Sequence, residues 1–547
     1  MESLVDSLPQ SGVLALSVAL TLYTIYRRWT QISIADIPGP EPESFLLGNL
    51  RETLQGQAGE AIQVDFKWQA RFGDVVRVKG VLGTNRLMIS DPKALQHIYN
   101  SGYSIRKSDF RSEITRLLTG PGLAWANDET HKRQRRVNSP AFGANEARSY
   151  IPIFAAYASL SANWKENLGG NGSVVVNTPT YFSRFFLDVI GEVAFDYQFG
   201  ATNDENDALA KALSSIVSPT MSIPSKTGIF IFGLLELLPM GPMRFLMRHA
   251  PVPALQNSRR VTRIAVGVAK ELVDEKAQAL MAGKGKRDIM SLLVKANASE
   301  NPRTNLSEVE MFAQMQTIMQ AGHETTANTM SWTLFALTQH PDIQAKLRAE
   351  IMETERAMRV RGDTEYTYAD FEAMQYTIAL MKETFRFYPV AFNSMRQAAR
   401  DEVLPLSKPI VTKSGKTLTE LPIPKNTLLI ISNCGYNRNP DVFGKDAHLF
   451  NPERWLDGSV QITTNVGVYG NLMTFGSGHR ACIGWRFAVY EYQAFLIELV
   501  KNFEFSLDPS LASRVRRQSA VVMIPTLEGE VSKGPQLPIT IKAVDAF

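Results

Sequence analysis

Long stretches in which apolar residues recur every three or four positions dominate the chain, and they predict helices. The longest runs from Leu306 to Gln339. Ser307 and Glu310 stand at its start with the spacing of a capping box, and Pro341 follows its end. About 30 helical residues rise about 45 Å, enough to cross a whole domain. A second helix is predicted over Asp370 to Tyr388, opening on a capping aspartate and stopping at Pro389. Another follows from Trp485 to Phe495. Strand-like pieces are short: Val75–Val78, Arg86–Ile89, Leu428–Ser432 and segments near the carboxyl end. The pattern predicts a mainly α fold with a minor β-sheet.

The amino-terminal pattern is different. Residues 8–26 are mostly apolar and, as a helix, span roughly 28 Å, the thickness of a hydrocarbon core. Glu2 and Asp6 precede this run and Arg27 and Arg28 follow it, the reverse of a cleaved signal peptide. The segment is therefore expected to be an uncleaved transmembrane anchor with its body in the cytoplasm. Residues 1–7 would be lumenal. Residues 27–44, basic and then proline-rich around Pro38, Pro40 and Pro42, would form a stiff hinge. No linker interrupts residues 45–547, which are expected to form one catalytic domain. Glycosylation acceptor patterns at Asn171, Asn297 and Asn305 would face the cytoplasm and stay unmodified.

Composition removes several alternatives. With 44% hydrophobic residues in 547, the chain can bury a large core. A formal net charge of +4 gives no field for general nucleic-acid binding. The two cysteines, Cys434 and Cys482, make neither a disulfide framework nor a cysteine zinc site. Cys434 is read as a buried spectator. Cys482 lies on a glycine-rich loop just before a helix, where backbone amides and the helix dipole favour the metal-binding thiolate and glycines admit a flat ligand.

The run Phe475, Gly478, Arg480, Cys482, Gly484 resembles the haem-binding loop of the cytochrome P450 (P-450) monooxygenases, Phe-x-x-Gly-x-Arg-x-Cys-x-Gly, at every fixed position. Three further stretches resemble that family's signatures, in its order. Ala321 to Thr326 lies midway along the long helix, Glu383 and Arg386 share one helix face, and Phe450 to Trp455 contains Arg454. The resemblance, to a microsomal and fungal-like form, implies a single haem-binding domain holding haem b. Cys482 would be the axial iron ligand, Arg480 would meet a propionate and Phe475 would pack by the sulfur. Thiolate ligation favours O–O cleavage.

The resemblance further implies that Glu324 and Thr325 deliver protons, and that Glu383, Arg386 and Arg454 form a structural ion network behind the haem. His131, in place of the family's Trp, Arg135 and Arg396 would serve the propionates, while the neighbours of Arg135 face an acidic redox partner. Asn437 departs from the family's commoner His. Substrate is expected against Thr317, Ala321 and Thr325, with walls from Val390–Ser394 and from Tyr103 to Leu118. The apolar stretch Gly228–Leu246 is expected to form a lid dipping into the bilayer.

The implied activity is insertion of one oxygen atom from O2 into a lipophilic terpenoid, sterol or other secondary metabolite at the endoplasmic reticulum membrane. NADPH would supply electrons through a separate NADPH–cytochrome reductase, with a small b-type cytochrome as a second donor, since the chain carries no dinucleotide fingerprint. A haem-thiolate isomerase or dehydratase needs no reductase. A non-enzymatic haem-binding membrane protein needs no proton-delivery pair.

Overall fold

The protein is described by a computed structural model covering residues 32–54, 61–160, 164–165, 172–202, 225–283, 288–297, 305–460, 462–519 and 521–544, with Val18 and Leu22. Apart from those two residues the expected anchor at 8–26 lies outside the described residues, as does Asn171. Among the described residues no helix is long and apolar enough to cross a membrane.

A five-stranded sheet forms one side. Its strands are β1 (Val75–Lys79), β2 (Asn85–Ile89), β3 (Ile105–Lys107), β5 (Asn393–Ala398) and β8 (Leu428–Ser432), in the order β1-β2-β8-β5-β3. Strand β4 (Ser173–Asn177) pairs in a three-stranded sheet with β9 (Phe503–Ser506) and β12 (Pro538–Ala543). Strands β6 (Glu402–Val411) and β7 (Thr417–Ile423) form a hairpin, as do β10 (Val515–Ser519) and β11 (Met523–Leu527). The three internal strand segments expected from the sequence form within a residue of their predicted bounds.

The helices that position the site are α1 (Ala61–Phe72), α2 (Pro92–Asn100), α3 (Asp109–Thr119), α4 (Asp128–Asn138), α5 (Thr178–Phe195), α6 (Lys226–Leu237), α7 (Met240–His249), α8 (Pro253–Met281), α9 (Glu308–Gln339), α10 (Pro341–Arg361), α11 (Gln375–Phe387) and α12 (Trp485–Asn502). Helix α9 is the predicted long helix. Ser307 accepts from the Glu310 amide and Glu310 accepts from the Ser307 amide, the expected capping box. Twenty of its 32 residues are buried, so neighbours enclose it on nearly every side: α5, α8, α11 and α12 all pack against it.

The second predicted helix is broken. Residues Tyr368–Ala373 and α11 are separate, with Met374 between them at ψ 80°. The cap is Thr367, and Asp370 is its capping-box partner three residues on. A methionine carries no breaking signal, so tertiary packing imposes the turn. The Glu350 carboxylate accepts the amides of Tyr376 and Thr377 at 2.7 Å each, restarting the helix at α11.

Candidate active site: a thiol in a cation-rimmed cavity

The Cys482 loop is held from both ends. The Cys482 amide donates to the Phe475 carbonyl at 2.7 Å, and Gly484 caps α12 two residues later. The Cys482 side chain is accessible, and it opens onto a cavity of about 370 Å³ that it lines with Thr325, Ala321 and Phe475. Protein mass around that opening pushes the thiol up, while the Gly484 amide and Arg135 oppose the rise. In this environment the thiolate is thus favoured less than the loop sequence alone suggests.

Two glycines serve purposes other than admitting a ligand. Gly478 has φ +56°, and a Cβ there would stand 2.4 Å from the Tyr99 carbonyl, so it allows α2 to approach the loop. Gly322 faces Ile190 of α5, whose side chain lies 2.8 Å from where a Cβ would be. It permits close helix packing against α5 while still lining the cavity.

Cations collect on the rim. The Arg135 Nη1 donates to the Ala481 carbonyl at 2.8 Å. Arg480 donates to the Ala126 carbonyl and Asn127 Oδ1, each at 2.7 Å. Arg396 stands 5.3 Å over the Tyr99 ring, and Lys107 donates to the carbonyls of Leu123, Ala124 and Ala126. None of the four has an ion-pair partner among the described residues. Burial first, then Arg480, Lys107, Arg135 and His479, pushes His131 down to about 2, so it is neutral. Its Nδ1 lies 2.8 Å from the Tyr103 hydroxyl. Lys107 carries no motif and was missed from sequence. The other expected outward cations divide: Lys132 and Arg136 are exposed, whereas Arg133 pairs with Glu310 of α9 at 2.5 Å.

Along α9, Thr317, Ala321 and Thr325 all line the cavity, and Val390 faces them. The Thr325 hydroxyl donates to the Ala321 carbonyl at 2.6 Å. Glu324 does not line the cavity. Its carboxylate accepts from Ser183 of α5 at 2.7 Å and Asn328 at 3.1 Å, with His323 3.5 Å away. Consecutive helical positions point about 100° apart, so the acid and the alcohol face different elements. Leu118 does not line the cavity either; its carbonyl accepts from Gln316 and Gln320. The segment Tyr103–Leu118 instead supplies Lys107, Phe110 and Arg111 to an adjoining cavity of about 440 Å³.

Glu383, Arg386 and Arg454 come together with no exposed side-chain surface. Glu383 takes Arg386 through two bonds of 2.8 and 2.6 Å and Arg454 at 3.2 Å. Trp455 Nε1 and the Asn451 amide complete its shell, and Asp446 balances Arg454 at 2.7 Å. Asn437 ties this region to the Cys482 loop: its amide group donates to the Phe385 carbonyl and to Thr474, and its oxygen accepts the Met473 amide. Cys434 is buried beside Asp65, with its thiol pushed up by burial.

Glu491 of α12 was not foreseen. It is fully buried, accepts among the described residues only from the Thr326 hydroxyl at 2.9 Å, and burial pushes it up to about 8. An unfolded glutamate ionises near 4.5, so between that pH and about 8 the unfolded chain binds fewer protons. Stability therefore falls as pH rises through this window. Glu491→Gln keeps the Thr326 acceptor and cannot ionise. It is expected to be more stable than wild type by about 3 kcal/mol at neutral pH and no more stable at pH 4. Parallel stability–pH curves for the two proteins would show that the carboxyl is not buried as described.

Known proteins are similar in sequence along nearly the whole chain. The sequence profile described as Cytochrome P450 matches residues 38–532. Cytochrome P450 monooxygenase 91 of Postia placenta is 32% identical over 535 residues, covering 93% of this chain and 94% of that protein. Monooxygenase 205 of the same fungus is 31% identical over 550 residues, 98% of each. Cytochrome P450 monooxygenase claP of Ampulloclitocybe clavipes is 30% identical over 519 residues, 93% of each. The thiol loop, the helix above it and the match from residue 38 to 532 place the chain in the cytochrome P450 family, as a haem-dependent, oxygen-incorporating oxidoreductase of the fungal type.

Proposed function

We propose that the protein hydroxylates or epoxidises a lipophilic small molecule, holding haem b through Cys482 and receiving electrons from NADPH through a separate reductase. The observation that carries this reading is the Cys482 thiol facing Thr325 and Ala321 across one cavity lined by Arg396 and Arg480, with Arg135 on the Ala481 carbonyl and Lys107 in the adjoining cavity, none of the four paired with a carboxylate among the described residues. A dianionic, planar group with a thiolate-bound metal fits that donor set: it supplies the missing carboxylates and takes the thiol. When bound, the haem supplies the activation of dioxygen. The balance is substrate, O2, NADPH and a proton in, and oxygenated substrate, water and NADP+ out.

The protein's own residues divide the remaining work. Arg135, Arg396 and Arg480 bind propionates. Neutral His131 pairs at Nδ1 with the Tyr103 hydroxyl; with that hydroxyl donating, Nε2 would carry the ring proton and serve as an indole donor would. Thr325 holds a proton at the cavity wall. Glu324, ionised and held on Ser183, is a relay behind it and not a direct donor. Lys132 and Arg136 offer an exposed basic face to an acidic redox partner.

Exposed apolar side chains support attachment to the endoplasmic reticulum membrane. Phe45 at 68%, Ile231 at 50% and Phe245 at 64% exposure lie just past the hinge and on α6 and α7. Helix α6 packs on the turn at Val81, beside the Phe45 loop. With the anchor at residues 8–26 they would place the lid in the bilayer and the catalytic domain in the cytoplasm.

The test is oxygen consumption by the reconstituted protein with NADPH and reductase, beside an isomerisation assay without them. Dependence on both supports oxygen insertion, and turnover in their absence would replace it with an isomerase. Within that assay Thr325→Ala is expected to keep consuming NADPH, release hydrogen peroxide and lose about a hundredfold in product. Unchanged product yield would remove Thr325 from proton delivery.

A further inference from the structure

The cavity of about 440 Å³ adjoins the one beneath α9, since Ala391, Asn393, Ser394 and Arg396 line both. Its walls are largely apolar, with Met88, Phe110, Ile114, Ile229 and Phe232. Four cations also line it, and three are accounted for. Arg86 pairs with Glu236 at 2.7 Å in a buried bridge between β2 and α6. Lys107 is bound to loop carbonyls, and Arg396 belongs to the rim cluster.

Arg111 is the fourth. It has no hydrogen-bond or ion-pair partner for its guanidinium among the described residues, and burial alone holds it below its usual range. Neighbouring charges contribute nothing there, whereas Lys107 is depressed further by Arg480 and Arg396. Arg111 therefore stands apart from the propionate cluster; its side chain is exposed and lines this cavity. The two carboxylates on that wall are committed elsewhere: Glu236 to Arg86, and Asp65 to Ser432 and Cys434. A guanidinium cannot shed its charge, and one that lines a largely apolar cavity with no counter-charge among the described residues is free to take an anion.

We propose that the substrate is a lipophilic carboxylic acid whose carboxylate pairs with Arg111. Its apolar body runs past Phe110, Ile114 and Phe232 toward Val390 and Thr325. The planar fork of arginine matches a carboxylate with two parallel bonds, which fixes the acid end and leaves the far end of the molecule to meet the oxidising centre. This inference rests on the oxygenase reading and names the substrate class of the same site.

The test titrates the haem-loaded enzyme with dodecanoic acid and a tricyclic diterpenoid acid, each beside its methyl ester. Affinity is read from displacement of the Soret band and, independently of the haem, by calorimetry. Wild type is expected to bind acids about ten- to a hundredfold more tightly than esters. Arg111→Gln should lose that preference with ester affinity unchanged, and Arg111→Lys should keep part of it. Equal affinity for acid and ester in wild type, a preference that survives Arg111→Gln, or binding of neutral terpenoids with no acid bound would each overturn the proposal. If Arg111→Gln fails to fold, wild type and Arg111→Lys still decide. A wild-type protein without the carbon-monoxide band of haem-thiolate strikes the oxygenase reading itself, which separates the two failures.

Discussion

Cys482→Ser is expected to abolish the strongly red-shifted Soret band of the reduced carbon-monoxide complex, together with all oxygen insertion, while leaving the fold intact. The substitution changes one atom. The Cys482 amide keeps its bond to Phe475, and a serine oxygen can still accept the Gly484 amide that the sulfur accepts now. The lost element is the soft thiolate, which pushes electron density onto iron and which an alcohol does not replace. No other thiol can substitute. Cys434 is buried against Asp65 and Ser432 with its ionisation suppressed, and it does not line the cavity. Stability of the haem-free variant should lie within about 1 kcal/mol of haem-free wild type, because a side chain facing an open cavity contributes little packing. Membranes expressing the two proteins, compared by difference spectrum, give the answer directly. A band of wild-type position in Cys482→Ser would move the metal ligand elsewhere.

Much of the frame behind that experiment was legible because its signals are local. A capping box at Ser307 and Glu310, a long apolar period and the spacing from Phe475 to Gly484 all depend on residues within one turn or loop of each other. What escaped depends on approach between distant segments. Gly322 lines the cavity, and the position its Cβ would take is closed by Ile190, more than a hundred residues earlier, a contact without any sequence signal. Glu324 and Thr325 form a pair in the one-dimensional pattern, but the helix turns between them and Ser183 captures the acid. Asn437, an unexplained departure in the sequence, ties the end of α11 to the Cys482 loop. Arg111 carries no motif, and its interest arises only from what does not surround it. Chemistry-bearing loops can be read from spacing, whereas the direction of a charged side chain is set by packing that spacing does not encode.

The ion network behind the haem site carries the second large effect, and its geometry ranks its members. Glu383 and Asp446 balance Arg386 and Arg454, so the group is neutral as it stands. Glu383 is the hub, because one carboxylate serves two guanidiniums, an indole and a backbone amide. Glu383→Ala leaves Arg386 fully buried on the carbonyls of Asn437, Ala447 and Leu449, with no counter-charge. Breaking a buried pair in this way costs about 3–5 kcal/mol, a large share of the roughly 5–15 kcal/mol that stabilises a folded protein. Arg454→Ala should cost less, since Glu383 keeps both bonds from Arg386 and the part-exposed Asp446 can turn to water. Thermal unfolding of the haem-free proteins should give the order wild type, Arg454→Ala, Glu383→Ala, and the reverse order for the two variants would reject Glu383 as hub. Haem retention should follow the same order at temperatures where all three remain folded. Arg386 grips the Asn437 carbonyl, and the Asn437 side chain grips Met473 and Thr474, nine and eight residues before Cys482. A charge stranded at residue 386 therefore loosens the loop that presents the thiol before it unfolds the helices around it.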